Sequence, residues 1–191
     1  MTRLDDKPQG QRIGWLCLDT DYPFTYRMFR IRRDQVRLPI GQETDYAYME
    51  SKGAVWIVPV TDDGRIVLIK QYRYAVDDWT WEVPAGGKHD HAGTDEELAR
   101  RELSEEIGAT CRSLQYIGWF YAAVSIATEK CQVFLARGVQ LDGSPHREPG
   151  EIIELHPMPI DEALAMAHSG QIKDGKSALA LLLSKPYLEE P

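Results

Sequence analysis

Cysteine, long apolar runs and surplus positive charge are all scarce in this 191-residue chain. Cys17, Cys111 and Cys131 are widely spaced, odd in number and form no CxxC pair. A disulfide framework and a structural zinc site of the usual spacing are therefore excluded, leaving free thiols in a reducing compartment. No run approaches the roughly 18 apolar residues of a membrane span. The amino terminus, MTRLDDKPQGQR, lacks the apolar stretch of a secretory signal. Lys and Arg number 22 against 30 Asp and Glu, a net charge of −8. Such a chain is not built to coat a polyanion, since nonspecific nucleic-acid binding relies on surplus cations. A small phosphorylated substrate stays open, because a few local cations and a metal can hold it. The expectation is a cytoplasmic protein with no nucleic-acid and no membrane partner.

What is present has globular proportions: 43% hydrophobic and 27% charged residues. A chain of this length buries a core without staples. No internal repeat, low-complexity segment or long Pro/Gly linker interrupts it. AVWIVPV (54–60) and RIVLIKQYRY (65–74) read as strands, and Asp63-Gly64 between them is a strong hairpin signal. TWEVPAGG is a short strand ending in a Gly-rich loop. SLQYIGWFYAAV and KCQVFLARGVQL follow as strands, and IDEALAMAHSG and KSALALLLSK close the chain as helices. The first fifty residues hold strand-like pieces, WLCLD and YRMFRIRR. Strands that precede, separate and follow helices predict an α/β or α+β class with a mixed sheet.

The chemistry concentrates in TDEELARRELSEEIG, Thr94–Gly108. Thr94 with Glu97 three residues on forms a capping box, and Asp95, Glu96 and Glu97 suit the positive end of a helix dipole. Gly108 is the stop, and Ala99, Leu103 and Ile107 make the buried stripe. At about 100° per residue, Glu102, Glu105 and Glu106 fall within one arc beside that stripe. Like charges at these spacings repel by a few tenths of a kcal/mol per pair, roughly. A divalent cation removes the conflict, and hard oxygen ligands favour Mg²⁺, Mn²⁺ or Ca²⁺. The alternative is a solvated acidic face with ion pairs to Arg100 and Arg101.

A second stretch invites a phosphate reading. GQIKDGKS (170–177) fits Gly, four residues, Gly, Lys, Ser, the pattern of a phosphate loop. A working phosphate loop follows a buried strand within a βαβ unit. Here a helical pattern precedes it and fourteen residues remain after Ser177. The residues instead read locally: Gly170 ends one helix and Asp174 or Gly175 starts the next.

In register, GKHDHAGTDEELARRELSEEIGA (87–109) resembles the signature box of the Nudix hydrolases. That box runs Gly, five residues, Glu, seven residues, Arg-Glu-aliphatic, one residue, Glu-Glu, one residue, Gly, then a small or aliphatic residue. Gly87, Arg101, Glu102, Leu103, Glu105, Glu106 and Gly108 all match. Gly93 stands where the first box Glu is usual, with Asp90 or Asp95 as neighbouring substitutes. The resemblance extends from about Ala54 to Leu183, through AVWIVPVTDDGRIVLIKQYRYAVDDWTWEVPAGG, SIATEKCQVFLA and the closing helices. These look like the ADP-ribose and nucleoside-diphosphate-sugar branch, whose SPG-like turn is absent from YAAVSIATE.

The resemblance implies an α/β/α sandwich with a mixed sheet over 53–191. It also implies an N-terminal β segment, 1–52, that serves dimerisation and base binding. Glu102 and Glu106 would be metal ligands with Glu105 beside them, and the Ala85 carbonyl would complete the set. Glu105 or Glu129 would orient or deprotonate water. Arg73 would contact phosphate, Glu82 would contact substrate or brace, and Trp15 and Phe29 are base-stacking candidates. The implied activity is Mg²⁺-dependent hydrolysis (Mn²⁺ as the alternative) of a nucleoside-diphosphate sugar by a homodimer. ADP-ribose, yielding AMP and ribose 5-phosphate, leads. GDP-mannose, a broader sugar range, or a non-catalytic nucleotide-sugar sensor are the alternatives.

Overall fold

The computed structural model describes residues 7–90 and 92–188, with the side chain of Asp90 outside that description. Two compact units emerge. One holds the described chain up to Lys52 together with Tyr121–Glu129, and the other holds Gly53–Phe120 and the chain from Lys130 onward.

In the first unit a short helix, α1 (Pro8–Arg12), precedes three antiparallel strands, β1 (Leu16–Thr25), β2 (Phe29–Arg37) and β3 (Glu43–Ser51). Opposite charges face each other across the strands in this register. Asp21 lies opposite Arg33, Arg30 opposite Glu50 and Arg37 opposite Glu43, and each pair forms an ion pair. Alternation along β2 turns Arg32, Asp34 and Val36 inward and Arg33, Gln35 and Arg37 outward. The buried charges are satisfied: Arg32 Nε and Thr20 Oγ1 each donate to Asp34 Oδ1 at 2.7 Å. Neither β3 nor the burial of Arg32 and Asp34 is evident in the sequence, because isolated charges there read as surface.

The second unit is built on a seven-stranded mixed sheet. Its main path joins β10 (Ile153–Pro159), β5 (Arg65–Arg73), β4 (Ala54–Thr61), β9 (Lys130–Gln140) and β8 (Thr110–Tyr121) in that order. Two short strands, β6 (Asp78–Glu82) and β7 (Ala85–Gly87), pair with β5 and β4. Strands β4 and β9 run parallel, whereas β5 is antiparallel to its neighbours β10, β4 and β6. Val55 and Ile57 face α2 (Asp95–Ile107) and pack with Leu98, Ala99, Leu103 and Ile107. The alternate face carries Trp56, against which Lys176 of α4 (Gly175–Leu188) stacks at 5.0 Å. Helix α3 (Ile160–His168) packs beside α4. Helices on both faces of a mixed sheet make the expected α/β/α sandwich. Among the described residues no helix is long and apolar enough to cross a membrane.

Candidate active site and metal centre

The end of α2 begins as local chemistry. Thr94 accepts from the Glu97 N–H at 3.2 Å, and the Glu97 side chain accepts from the Thr94 N–H at 2.7 Å, so the expected capping box is formed. At the other end Gly108 takes φ +64°, a left-handed stop that a side chain would strain. Between them Leu98, Ala99, Leu103 and Ile107 bind the helix to the sheet. That anchoring rolls Glu102 and Glu106 toward the strand–loop segment before the helix, leaving them 8% and 3% exposed. Glu105 stays outside with a 44% exposed side chain. The three carboxylates therefore do not stand equivalently on one face: two are buried and one is rim.

The loop meets them closely. Gly86 lies so near Glu102 that a Cβ there would overlap the carboxyl group. The Ala85 N–H donates to Glu106 Oε2 at 3.1 Å, so the observed link to Glu106 is through the amide of Ala85. Behind the loop, Ser177 Oγ accepts from the Val83 N–H at 3.1 Å and donates to Asp174 at 2.7 Å. Asp174 also caps α4 by accepting from the Ser177 N–H at 3.0 Å, and Gly170, at φ +71°, follows the end of α3. The GQIKDGKS stretch thus does joint work between two helices. Its Lys176 faces Trp56 and its Ser177 fastens the loop.

Burial pushes the Glu106 carboxyl well above its ordinary range, and the neighbouring Glu102 and Glu151 push further. The Ala85 N–H and Arg73 oppose that shift. Burial also raises Glu102, against Arg101, which donates to it at 3.2 Å. Arg101 reaches Glu105 at 3.6 Å too, and Arg100 pairs with Glu96 at 3.0 Å. The ion pairs of a solvated face are thus present, Arg101–Glu102 among them, but they do not account for the burial of Glu102 and Glu106. Two buried carboxylates one turn apart resist simultaneous ionisation.

This arrangement fits a divalent cation. All donors are hard oxygens, and a cation would offset the charge that burial makes costly. Among the described residues no three His, Cys, Asp or Glu side chains close into a cage.

Arg73 and Glu82 are brought together. The guanidinium donates to the buried Glu82 through Nε at 2.8 Å and Nη2 at 2.5 Å, and that pairing raises its already high pKa. Glu82 therefore braces Arg73. Asp95, a substitute for the missing box Glu, is held by Lys88 at 2.7 Å. Glu129 lies in the N-terminal unit, where its carbonyl accepts from the Ala122 N–H at 3.1 Å.

Trp15 and Phe29 also lie in that unit but in different clusters. Phe29 packs against Phe24 and Tyr26, at 6.2 and 5.8 Å between ring centroids. Trp15 stands edge-on to Tyr46 and lines a cavity of about 310 Å³ with Lys7, Asp34, Tyr48 and segment 124–128.

Glu151 was not evident in the sequence. It lies between β9 and β10, half-buried, and its charge raises both Glu102 and Glu106. Its Oε2 accepts from the Glu148 N–H at 2.8 Å. In REPGEIIE nothing local separates this Glu from a solvated charge; only the tertiary approach does.

Residues 50–179 match the NUDIX domain family. An ADP-ribose pyrophosphatase of Bacillus subtilis (strain 168) is 31% identical over 159 residues, covering 83% of this chain and 85% of the relative. An ADP-ribose pyrophosphatase of Mycobacterium tuberculosis (strain ATCC 25618 / H37Rv) is 36% identical over 151 residues, covering 78% and 72%. The crystal structure of an ADP compounds hydrolase superposes with a TM-score of 0.79 over 91% of this chain and 93% of that one. At 22% identity, that likeness concerns the fold.

Proposed function

Because this chain belongs to the Nudix family, we propose that it is a pyrophosphohydrolase of nucleoside-diphosphate sugars. ADP-ribose is the leading substrate, cleaved to AMP and ribose 5-phosphate. The observation that carries the reading is the buried pair Glu102 and Glu106, whose carboxyls are raised chiefly by burial, with Glu102 adding to the shift of Glu106 and Glu151 to both. A pair that resists ionisation by itself is suited to hold Mg²⁺, with Mn²⁺ as the alternative. The cation, when bound, neutralises charge growing on the diphosphate and lowers the pKa of water.

The chain's own residues do the rest. Glu102 and Glu106 would hold the cation, with the Ala85 backbone beside them. Arg73, fixed by Glu82, presents a preoriented guanidinium to a phosphate. A carboxylate takes the proton of the attacking water as the P–O bond forms, and the bridging oxygen leaves with one phosphate. Glu105, Glu129 and Glu151 are the three candidates for that step, and Glu151 is the one whose charge acts on both buried glutamates.

Residues 1–52 are read as the base-binding and dimerisation segment and 53–191 as the hydrolase domain. Trp15 at its cavity, with Phe29 as the second candidate, would stack a base. A homodimer suits the exposed Tyr22, Phe24, Tyr26 and Met28. The free thiols of Cys17, Cys111 and Cys131 suit the cytoplasm.

Incubation with Mg²⁺ and ADP-ribose, GDP-mannose, UDP-glucose, FAD or diadenosine polyphosphates tests this. AMP plus ribose 5-phosphate as the fastest products is the expected result. GDP-mannose as the fastest substrate would move the specificity, and binding without any product would leave a sensor.

A further inference from the structure

Arg147 lies in the loop between β9 and β10, shortly before Glu151. Its guanidinium bridges two carbonyls on different elements: Nε donates to Glu106 O at 2.8 Å and Nη1 to Ile153 O at 2.7 Å. Glu106 belongs to the last turn of α2, where carbonyls lack intrahelical donors. Ile153 opens β10. The chain between Arg147 and Ile153 contains Glu151.

Backbone bonds extend the same seam. The His146 N–H donates to Glu105 O and the Gly143 N–H to Gly108 O, both at 2.8 Å. Inside the loop, the Glu151 N–H donates to Glu148 O at 2.9 Å while the Glu151 carboxylate accepts from the Glu148 N–H. The carboxylate is therefore tied to its own turn, and that turn is tied through Arg147 to the helix bearing Glu102 and Glu106.

We propose that Arg147 is a positioning residue. It staples the Glu151 loop onto the end of α2 and so sets where Glu151 stands relative to the buried glutamates. The inference rests on reading those glutamates as the hydrolytic centre. A positive charge at a helix C-terminus is favourable in itself, and Lys supplies that charge equally well. Arg147 meets the two carbonyls from two separate nitrogens of its planar fork, a spacing that the single ammonium nitrogen of Lys does not reproduce. The staple and the charge are thus separable by substitution.

The full-length protein is prepared as wild type, Arg147→Ala, Arg147→Lys, Glu151→Gln and the Arg147→Ala/Glu151→Gln double variant. Turnover of ADP-ribose with Mg²⁺ is measured, with GDP-mannose as the second substrate. In Arg147→Ala, kcat falls about 10- to 100-fold, the scale of a small misplacement at a reacting centre, while KM stays within about threefold. Arg147→Lys recovers little of that loss. The double variant is no slower than Glu151→Gln alone, because Arg147 acts through Glu151.

Amide hydrogen exchange on the metal-free proteins is the second readout. Peptides covering 143–152 exchange faster in both Arg147 variants, and those of β4 keep wild-type rates. Additive losses in the double variant, full recovery by Lys, or unchanged exchange in Arg147→Ala would each overturn the staple. If the wild type turns over neither substrate, the hydrolytic reading falls separately and exchange alone decides the staple.

Discussion

Glu106 keeps a carboxyl group in an almost dry place, where the Ala85 N–H donates to it against two acidic neighbours, Glu102 and Glu151. Its folded-state pKa lies above the ordinary value of 4.5, so the folded metal-free chain binds the proton more tightly than the unfolded one. The resulting stabilisation is fully present below about pH 4.5 and is lost as pH rises through the raised value. Glu106→Gln removes the titration while its amide oxygen still accepts from Ala85. We therefore expect the metal-free wild type to lose melting temperature relative to this variant as pH rises toward neutrality. The same variant should retain the wild-type circular dichroism spectrum and lose at least about 10²-fold in kcat, the scale of a removed electrostatic stabiliser. Unchanged Mg²⁺-dependent turnover in Glu106→Gln would take the residue out of the centre.

Helix α2 shows how short-range rules assemble a site at the scale of an element. Its box, its acidic first turn and its left-handed stop are all encoded within a few residues of where they act. Thr94→Ala should cost about 1 kcal/mol of unfolding free energy, read from urea denaturation. Turnover per folded molecule should persist, since the cap bonds of Thr94 go to Glu97 rather than to Glu102 or Glu106. The same locality explains why GQIKDGKS could be read as a helix joint, with Gly170 after α3 and Asp174 before α4. It does not explain Ser177, which reaches back to Val83 and fastens the loop in front of α2. Nor does it reveal β3, where Glu50 and Glu43 meet Arg30 and Arg37 only across the sheet.

For the whole molecule, the N-terminal unit exposes Tyr22, Phe24, Tyr26 and Met28 at 41%, 53%, 55% and 49%. Apolar side chains gathered this way are typical of association surfaces. Light scattering at micromolar concentration should give twice the mass of one chain, and Phe24→Glu should shift it toward a single chain. A monomeric wild type would refute the homodimer.

The helix, its caps, the spacing of its glutamates and the strands beside it were legible because periodicity and capping act over one or two turns. Which glutamates are buried was decided by how Leu98, Ala99, Leu103 and Ile107 seat the helix on the sheet. The arrival of Glu151, and of Arg147 with it, depends on a loop two strands further along the chain. Burial and electrostatic neighbourhood are properties of distant segments brought together, and no local pattern records them.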